Sequence, residues 1–399
     1  MDNVVAMVLA GGRVDELLSL TEKRPKSALP IFGIYRIIDF ALSNLMHSGI
    51  PNAGVLSQYR PYALVRHIGT GEHWDFIGRK RGIRILSPYR GAKASDWYKG
   101  TADAVYQNIS YIEEFNPEYV LVISADHIYH MNYRQVFQFH VEKKADVTIC
   151  FTQAKKKTSR FGYGVIDKND RLVAYQEKPE VPQSNWISMT VYLFKTALLI
   201  DCLNTNAREK SHEFGRDIIP RLIQDKRIFG YRFNDYWAYA RTIASYYETN
   251  MDLLKRKINL DMWQVRTNLS ERCGDRDRLP AYIGGHVSNA IISEGCSIRG
   301  SVQNSILSPG VFVAPGAEVI GSIIFHDTKI EPRAIVTKVI CDKDCHIGEG
   351  SVIGGYGDSE NSGITLLGKN TIIPPKTVRN AKNVTPSSEN RHRQGEEQL

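Results

Sequence analysis

Through the first 250 residues, runs of apolar residues alternate with stretches in which apolar residues recur every three or four positions. The apolar runs predict strands: VVAMVLAG (4–11), AGVLSQY (53–59), YVLVISAD (119–126), DVTICFT (146–152) and ISMTVYLF (187–194). The periodic stretches predict helices: DFALSNLMHSG (39–49), ADAVYQNISYIEEF (102–115) and YRQVFQFHVEKK (133–144). Continuous apolar runs are typical of buried parallel strands, and their alternation with helices predicts a doubly wound α/β (Rossmann-like) domain over residues 1–250. Its ligand is expected outside the carboxyl ends of the strands.

From residue 281 the pattern changes to short apolar units separated by glycines and other small residues. Three units align with a spacing of six residues inside each unit and 17 between units: Leu307, Val313 and Val319, then Ile324, Ile330 and Val336, then Cys341, Ile347 and Ile353. This hexapeptide spacing predicts a left-handed parallel β-helix of about four coils over residues 281–380. Residues 251–280 predict a linker helix and connector, and the polar residues 381–399 predict a disordered tail.

Composition narrows the class of protein. The 399 residues are 42% hydrophobic and 24% charged, which is typical of a globular chain. No apolar run approaches the roughly 20 residues that span a bilayer, and the N-terminus lacks the basic start and cleavage site of a signal peptide. Six cysteines are scattered without a C-x-x-C pair. Such cysteines are typical of reduced thiols, so we expect a cytoplasmic protein.

The net charge of +8 raises the question of nucleic-acid binding. The basic clusters are short: GRKRGIR (78–84), AKKK (154–157) and KRK (255–257). No zinc-finger, RNA-recognition or long basic-helix pattern accompanies them. We therefore expect anionic small molecules as partners rather than nucleic acid or a membrane.

Several longer motifs are specific to one family. They are RIIDFALSN (36–44), WYKGTADAV (97–105), ADHIY (125–129), FGYGVID (161–167), EKP (177–179) and HEFGRDIIP (212–220). Together they resemble ADP-glucose pyrophosphorylase, the glucose-1-phosphate adenylyltransferase of bacterial glycogen and plant starch synthesis, from residue 4 to about residue 360. In that family the phosphate of glucose 1-phosphate attacks the α-phosphorus of ATP, and magnesium pyrophosphate leaves. The resemblance therefore implies cations that grip phosphates and carboxylates that hold magnesium.

The resemblance also assigns roles to particular positions. The catalytic lysine is Lys26 and the first metal carboxylate is Asp126; the nucleotide side has Gly11, Gly12, Gln58, Tyr98, Gly100 and Thr101; the sugar-phosphate side has Glu177, Lys178 and Ser188; the effector positions are Lys23 and Arg24. Three of these have a structural alternative: Asp126 as a strand-end cap, Lys178 as an exposed lysine and Tyr98 as a core residue. The family further implies Mg²⁺ as cofactor and assembly into a tetramer.

The opening loop departs from the family pattern GGRGTRLxxLTxxRAKPAV, since this chain reads GGRVDELLSLTEKRPKSALP over residues 11–30. Val14 replaces a glycine, and we expect a β-branched residue to be strained in a phosphate loop, where positive φ is common. Asp15 and Ser27 also differ, and Glu16 replaces the arginine that grips the triphosphate. A carboxylate about 5 Å from a phosphate charge is repelled by about 3 kcal/mol per unit charge at an effective dielectric constant near 20.

The second metal carboxylate is also missing. WAYART (237–242) stands where the family has WRDVGT, which puts Tyr239 at the aspartate position and Arg241 at the glycine position. Asp235 is a nearby carboxylate that could substitute, and Thr190 replaces a further glycine on the sugar side. Losing one transition-state donor typically costs about 10²- to 10³-fold in rate. We therefore expect weakened catalysis and weakened Mg²⁺ binding on a retained scaffold.

Three functions remain open at this point. The first is a regulatory or structural subunit that assembles, as part of a tetramer, with a catalytic paralogue. The second is an active adenylyltransferase that uses Arg13 or Lys23 for the triphosphate and Asp235 for the metal. The third is acyl transfer by the β-helix, for which about four coils are few and the candidate residues are His286, His326 and His346.

Overall fold

The computed structural model describes residues 1–12, 14–88, 97–154, 157–258, 260–269, 279–355 and 363–379. The expectations for Arg13, for the tail 381–399 and for part of the connector (270–278) concern residues outside this set. The chain divides into two compact units that each combine separate segments. The first unit comprises Met1–Gly12, Ile37–Ala238 and Leu260–Arg266, and the second comprises Arg13–Arg36, Tyr239–Asn259 and Thr267–Leu399.

The strands before the repeats are short to medium in length. They are β1 Val4–Leu9, β2 Pro30–Ile31, β3 Tyr35–Arg36, β4 Asn52–Leu56, β5 Gly82–Leu86, β6 Tyr119–Ser124, β7 Ile128–Tyr129, β8 Val147–Gln153, β9 Gly162–Ile166, β10 Leu172–Glu177, β11 Trp186–Lys195, β12 Ile228–Phe233 and β13 Trp237–Ala238. The α-helices are α1 Ile37–Ser48, α2 Tyr62–Ile68, α3 Thr101–Tyr106, α4 Ile109–Phe115, α5 Tyr133–Glu142, α6 Thr196–Asn206, α7 Ile219–Asp225 and α8 Ile243–Leu254. Single 3-10 turns lie at Asp15–Thr21, Lys26–Ala28, Glu72–Trp74 and Met262–Gln264, and a π-helical turn lies at Phe214–Ile218.

A mixed sheet forms the centre of the first unit. Within the described residues its strands follow the order β10-β9-β11-β6-β1-β4-β5, and β8 pairs with both β11 and β12. The strands β6, β1 and β4 are parallel to one another, as their continuous apolar runs predict, and β5, which no apolar run predicted, is parallel to β4. The run ISMTVYLF differs, because β11 lies antiparallel to β6. An apolar run shows that a strand is buried on both faces but carries no information on its direction, so the expectation of a parallel strand was wrong here.

The helices cover the sheet and enclose its core. Side chains from α3, α4, α6 and α7 pack with residues of β1, β6, β8 and β11 in one buried apolar cluster. Helix α1 ends immediately before Gly49, whose φ of +70° permits the chain to leave the helix. The stretch ADAVYQNISYIEEF forms two short helices rather than one, because the chain turns at Gln107 and Asn108.

The C-terminal strands of the second unit form a β-helix. They are β14 Tyr282–Ile283, β15 His286–Ser288, β16 Ile291–Ile292, β17 Ser297–Ile298, β18 Ser301–Gln303, β19 Ile306–Leu307, β20 Phe312–Val313, β21 Glu318–Ile320, β22 Ile323–Ile324, β23 Lys329–Ile330, β24 Ile335–Thr337, β25 Val339–Cys341, β26 His346–Ile347, β27 Val352–Gly354, β28 Thr365–Leu367, β29 Ile372–Ile373 and β30 Val378–Arg379. In the described part of the chain they make three parallel sheets of six, six and five strands, which is more coils than the repeat pattern predicts.

The 17-residue alignment is confirmed in the strand register. Leu307 pairs with Ile324 and then Cys341, and the other two inward positions of each coil pair in the same way. All of these aligned side chains are buried in the apolar interior of the β-helix. The spacing is visible in the sequence because each coil must return an apolar side chain to the same interior position.

The N-terminal loop of the second unit packs on its β-helix. The Ser308 hydroxyl donates to the Gly33 carbonyl at 2.8 Å, and Gly33 adopts a φ of +88° at this close approach. The Tyr247 hydroxyl on α8 donates to the Gly321 carbonyl at 2.6 Å. No helix in the described part of the chain is long and apolar enough to cross a membrane.

Candidate functional site

Three parallel strands of the first unit end side by side. In the sheet register Leu9 at the end of β1 is level with Leu56 at the end of β4 and with Ser124 at the end of β6. Backbone bonds continue this edge, since the Ala125 N–H donates to the Leu9 carbonyl at 3.0 Å. Gly11, Gln58 and Asp126 follow these strand ends directly, so the predicted nucleotide and metal residues share one edge of the sheet.

On the nucleotide side, Gln58 and Tyr98 are linked. The Gln58 side-chain carbonyl accepts the Tyr98 backbone N–H at 2.8 Å. The Tyr98 ring is buried in the core, and its hydroxyl donates to the Leu86 carbonyl at 3.1 Å. The side chain of Tyr98 is therefore a core residue, which was the structural alternative for this position. Its backbone N–H holds the side chain of Gln58. Gly11 and Gly12 have room for a Cβ atom, so crowding by the protein does not require glycine at either position.

Gly100 and Thr101 are held by the HEFG segment (212–215), to which sequence reasoning gave no role. A Cβ on Gly100 would lie 2.2 Å from the His212 carbonyl oxygen, so only glycine fits there. The Thr101 hydroxyl donates to the Glu213 carboxylate at 2.5 Å and accepts the Phe214 N–H at 3.2 Å. The motif HEFGRDIIP contained the signal for this contact, but nothing in the sequence showed which residues it meets.

The same segment reaches the sugar-phosphate side. Glu177 ends β10, and a Cβ on Gly215 would lie 2.2 Å from its carboxylate oxygen. The Tyr175 hydroxyl donates to that carboxylate at 3.2 Å. Lys178 adopts a φ of +49° and extends a half-exposed ammonium group 3.6 Å from the other Glu177 oxygen. The HEFG segment therefore connects the predicted nucleotide side to the predicted sugar side within the first unit.

Two tyrosines, the partly buried Tyr175 and the buried Tyr192, join Glu177 to Ser188. The Ser188 hydroxyl lies 3.4 Å from that of Tyr192, and Tyr175 hydrogen-bonds to Ser188 as well as to Glu177. Burial raises the pKa of Tyr192 to about 12 and raises that of Tyr175 well above its ordinary value. Both phenols therefore stay neutral and serve as hydrogen-bonding groups. The sequence analysis gave Tyr192 no role beyond membership of the strand ISMTVYLF.

Thr190 lies at an irregular point of the same strand. The register between β11 and β8 shifts between Ser188 and Tyr192, and Thr190 adopts a φ of +52°. This is the position where the family pattern has glycine. A left-handed conformation costs glycine little but is strained for a β-branched residue. The backbone conformation therefore explains why the family pattern has glycine at this position.

In the second unit, the expected strain at Val14 is absent. Val14 has a φ of −124° and a ψ of 103°, which is ordinary extended backbone. Its side chain is buried, and its carbonyl accepts the Thr21 hydroxyl at 2.7 Å. The left-handed residue of this loop is Leu18, with a φ of +50°. The prediction of strain at Val14 was wrong, because the turn of the chain falls four residues later.

Four side chains of the second unit form what we call the four-residue network: Glu16, Arg241, Tyr239 and Lys26. Arg241 Nε donates to Glu16 Oε1 at 3.0 Å, and the guanidinium also hydrogen-bonds to Tyr239. The Lys26 ammonium lies 3.6 Å from the centre of the Tyr239 ring, and Lys26 is fully buried. Burial lowers the pKa of Arg241, but Tyr239 and Glu16 outweigh it, so the net shift is upward and the guanidinium stays charged.

The effector positions of the same unit differ from each other. Arg24 is buried, and its guanidinium pairs with Asp342 of the β-helix at 2.5 Å and donates to the Leu20 carbonyl at 3.1 Å. Lys23 is half-buried. Arg24 therefore has a structural contact that its sequence did not indicate, and the effector role stays a prediction for both residues.

One of the two positions that have a magnesium carboxylate in the family pattern has a different residue in this chain. Asp126 keeps a carboxylate at the first family position, whereas the second has Tyr239, whose ring and hydroxyl both face cations. Asp235 is exposed in the bend between β12 and β13. In the described residues no group of three or more His, Cys, Asp or Glu side chains is arranged to hold a metal ion. The residues at Tyr239 do not fit a cation that prefers carboxylate oxygens.

The acyl-transfer candidates are dispersed over the β-helix. His286 lies on β15, His346 lies on β26 beside Glu331 at 2.8 Å, and His326 is buried in the turn after β22. These three histidines lie on three different elements of the β-helix, and the acyl-transfer role stays a prediction.

Two family models and several individual proteins are similar to this chain. A model of the family described as "Nucleotidyl transferase" matches residues 5–256, and one described as "GlmU-like, C-terminal hexapeptide" matches residues 281–371. The chain is 39% identical over 391 residues to the glucose-1-phosphate adenylyltransferase of Acetivibrio thermocellus, covering 93% of this chain and 90% of that protein. The chain belongs to the glucose-1-phosphate adenylyltransferase family.

Other members of the glucose-1-phosphate adenylyltransferase family are similarly related. The chain is 40% identical over 386 residues to the protein of that name from Fervidobacterium nodosum, covering 94% of this chain and 92% of that protein. It is 39% identical over 360 residues to that from Bacillus cereus strain Q1, with 88% and 94% covered. This chain thus combines a nucleotidyltransferase domain with a left-handed β-helix of hexapeptide repeats.

Proposed function

We propose that this chain is a catalytically impaired member of the glucose-1-phosphate adenylyltransferase family that acts as a regulatory or structural subunit. In this proposal it assembles as a tetramer with a catalytic paralogue in glycogen or starch synthesis in the cytoplasm. Its ligands are ATP, glucose 1-phosphate or related sugar phosphates, and Mg²⁺ binds weakly. The single observation that carries the proposal is the four-residue network.

The network supports impairment because it uses the catalytic positions for internal contacts. Glu16 places a negative charge where the family has an arginine, and Arg241 holds that charge at 3.0 Å. Tyr239 replaces a metal carboxylate with a neutral ring that packs on Lys26. A transition state that gains negative charge on its phosphates needs cations and a metal at these positions.

The first unit supports retained ligand binding. The HEFG segment still joins Thr101 to Glu177, and Tyr175 still joins Glu177 to Ser188. A chain under no pressure to bind ligands would not need these partly buried polar contacts, which cost stability when incompletely satisfied. Binding without turnover is the behaviour expected of a regulatory subunit, with Lys23 as the proposed effector residue.

The test is pyrophosphate release from ATP, glucose 1-phosphate and Mg²⁺ by the purified chain alone, then after co-expression with a catalytic glucose-1-phosphate adenylyltransferase of the same organism. We expect the chain alone to stay well below about 1 s⁻¹, the low end of ordinary enzyme rates. In the mixed assembly we expect changed effector sensitivity. Turnover by the chain alone at ordinary rates, or no assembly with the partner, would contradict the proposal.

A second candidate is an active enzyme with a rewired site, and one observation favours it. Arg241 is a new cation on the segment that follows β13, and it stands beside the position of the lost arginine. If it took over the triphosphate contact, Arg241→Gln would abolish the activity of the chain. A chain that is inactive before this substitution leaves only the first candidate.

A further inference from the structure

At positions 16 and 241 the four-residue network carries charges that differ from those of the family pattern. Where the family pattern has a cation at position 16 and glycine at 241, this chain has a carboxylate at 16 and a guanidinium at 241. The two side chains meet although they are 225 positions apart. In this chain the positive charge is therefore on Arg241, in the segment before α8, and not on the opening loop. The loop instead contributes the carboxylate of Glu16, which pairs with Arg241.

We infer that the accessible guanidinium of Arg241, supported by the buried positive charge of Lys26, forms a metal-independent site for a phosphate-bearing anion, which Glu16 occupies until such an anion displaces it. This inference rests on the proposed function, because it assigns binding without turnover to the same site. The chemical class of the ligand is a di- or triphosphate, such as pyrophosphate or the phosphate chain of a nucleotide.

The geometry of Arg241 fits this role. A guanidinium offers five N–H donors in a planar fork that matches two oxygens of a carboxylate or a phosphate. Arg241 directs its Nε to Glu16 and hydrogen-bonds to Tyr239. Its backbone is fixed as well, since its N–H donates to the Ser245 hydroxyl at 3.1 Å within the first turn of α8. The guanidinium is therefore presented from a rigid helix start rather than from a mobile loop.

Two cations converge on Tyr239. Lys26 lies over its ring at 3.6 Å, and Arg241 bonds to its hydroxyl. Tyr239 lacks the carboxylate that the family pattern has at this position, and a carboxylate there would repel an anion. An anion at the guanidinium of Arg241 would also be attracted by the buried charge of Lys26 across the Tyr239 ring.

The contact between Glu16 and Arg241 is exchangeable. The Glu16 and Arg241 side chains are 40% and 33% exposed. Ion pairs exposed to this degree contribute little stability and are screened by salt, so a more highly charged anion competes effectively for the guanidinium.

The test is calorimetric titration of the full chain with inorganic pyrophosphate in EDTA, so that no metal and no turnover are involved. We expect Glu16→Gln to bind at least about 10-fold more tightly than the wild type, because the internal competitor is gone. In the Glu16→Gln background, Arg241→Gln should reduce the affinity at least about 10-fold, and Arg241→Lys should fall between the two. Glu209→Gln and Arg221→Gln, which neutralise a separate exposed pair on the first unit, serve as matched controls and should bind as the wild type does.

Three results would overturn the inference: equal affinity of wild type and Glu16→Gln, full affinity after Arg241→Gln, or the same shift in the controls. Each variant is first checked by thermal unfolding, and Arg241→Lys keeps the test decisive if Arg241→Gln does not fold. The inference and the proposed function would fail on different results. Ordinary turnover by the chain would contradict the impairment but would leave a pyrophosphate affinity set by Glu16 and Arg241 intact.

Discussion

Restoring the family residues at positions 16 and 239 should not restore catalytic activity unless Arg241 is replaced as well. The perturbation compares the double variant Glu16→Arg/Tyr239→Asp with the triple variant that adds Arg241→Gly. In the double variant the new arginine faces Arg241, where the native carboxylate lies 3.0 Å from the guanidinium. The two guanidinium groups then repel each other at the place where the wild type has an ion pair.

The stability cost of the double variant can be calculated from the solvent exposure of the Glu16 and Arg241 side chains. Unit charges about 4 Å apart interact by about 1 kcal/mol in water and about 4 kcal/mol at an effective dielectric constant of 20. Both side chains are a third or more exposed, so the lower value applies. Exchanging attraction for repulsion therefore costs about 2 kcal/mol, which the triple variant avoids. Tyr239→Asp also loses the cation–π contact with Lys26 but supplies an ionic partner in exchange.

The assay measures both stability and pyrophosphate release. We expect the double variant to unfold at a lower denaturant concentration than the wild type and to gain little activity. The triple variant should recover stability and gain at least about 10²-fold in rate, the usual value of one transition-state donor. Equal activity of double and triple variants would refute the reasoning, as would a triple variant no more active than the wild type.

Three further predictions concern stability. Thr190→Gly should stabilise the chain by about 1 kcal/mol in urea unfolding, since it relieves a left-handed φ of +52°, and a loss of stability would contradict the assigned strain. Asp342→Asn should destabilise the second unit by about 3–5 kcal/mol because it leaves the buried Arg24 charge unbalanced, while Glu331→Gln at the more exposed His346 pair should have little effect. Burial lowers the pKa of His140 to about 4, so its neutral form is the native one. Unfolding exposes a group that binds a proton below about pH 6.5, so stability should fall by about 3 kcal/mol between pH 6.5 and pH 4. His140→Gln should flatten this part of the profile, and an unchanged profile would show that other groups cause it.

Much of the candidate site could be located from the sequence because its motifs are local. Gly11, Gln58 and Asp126 each follow a strand directly, and strand ends of one parallel sheet meet at one edge. The roles of Tyr175 and the HEFG segment were not predictable in this way. Their contacts with Glu177 and Thr101 depend on how two distant segments pack, and only the folded chain specifies that.

The sequence alone determined the two kinds of architecture and the inward positions of the β-helix. An apolar side chain must return to the interior once per coil, so the period of 17 residues from Leu307 to Ile324 and Cys341 is written directly in the chain. The sequence also showed that Glu16, Tyr239 and Arg241 depart from the family pattern.

The tertiary structure decided what those departures mean. It showed that Val14 is unstrained, because backbone dihedrals depend on where the chain turns and the left-handed residue is Leu18. It set the antiparallel direction of β11, which an apolar run leaves undetermined. It also paired Glu16 with Arg241 across 225 positions. Opposite charges attract at any sequence separation, and only the fold determines which of them come within reach of each other.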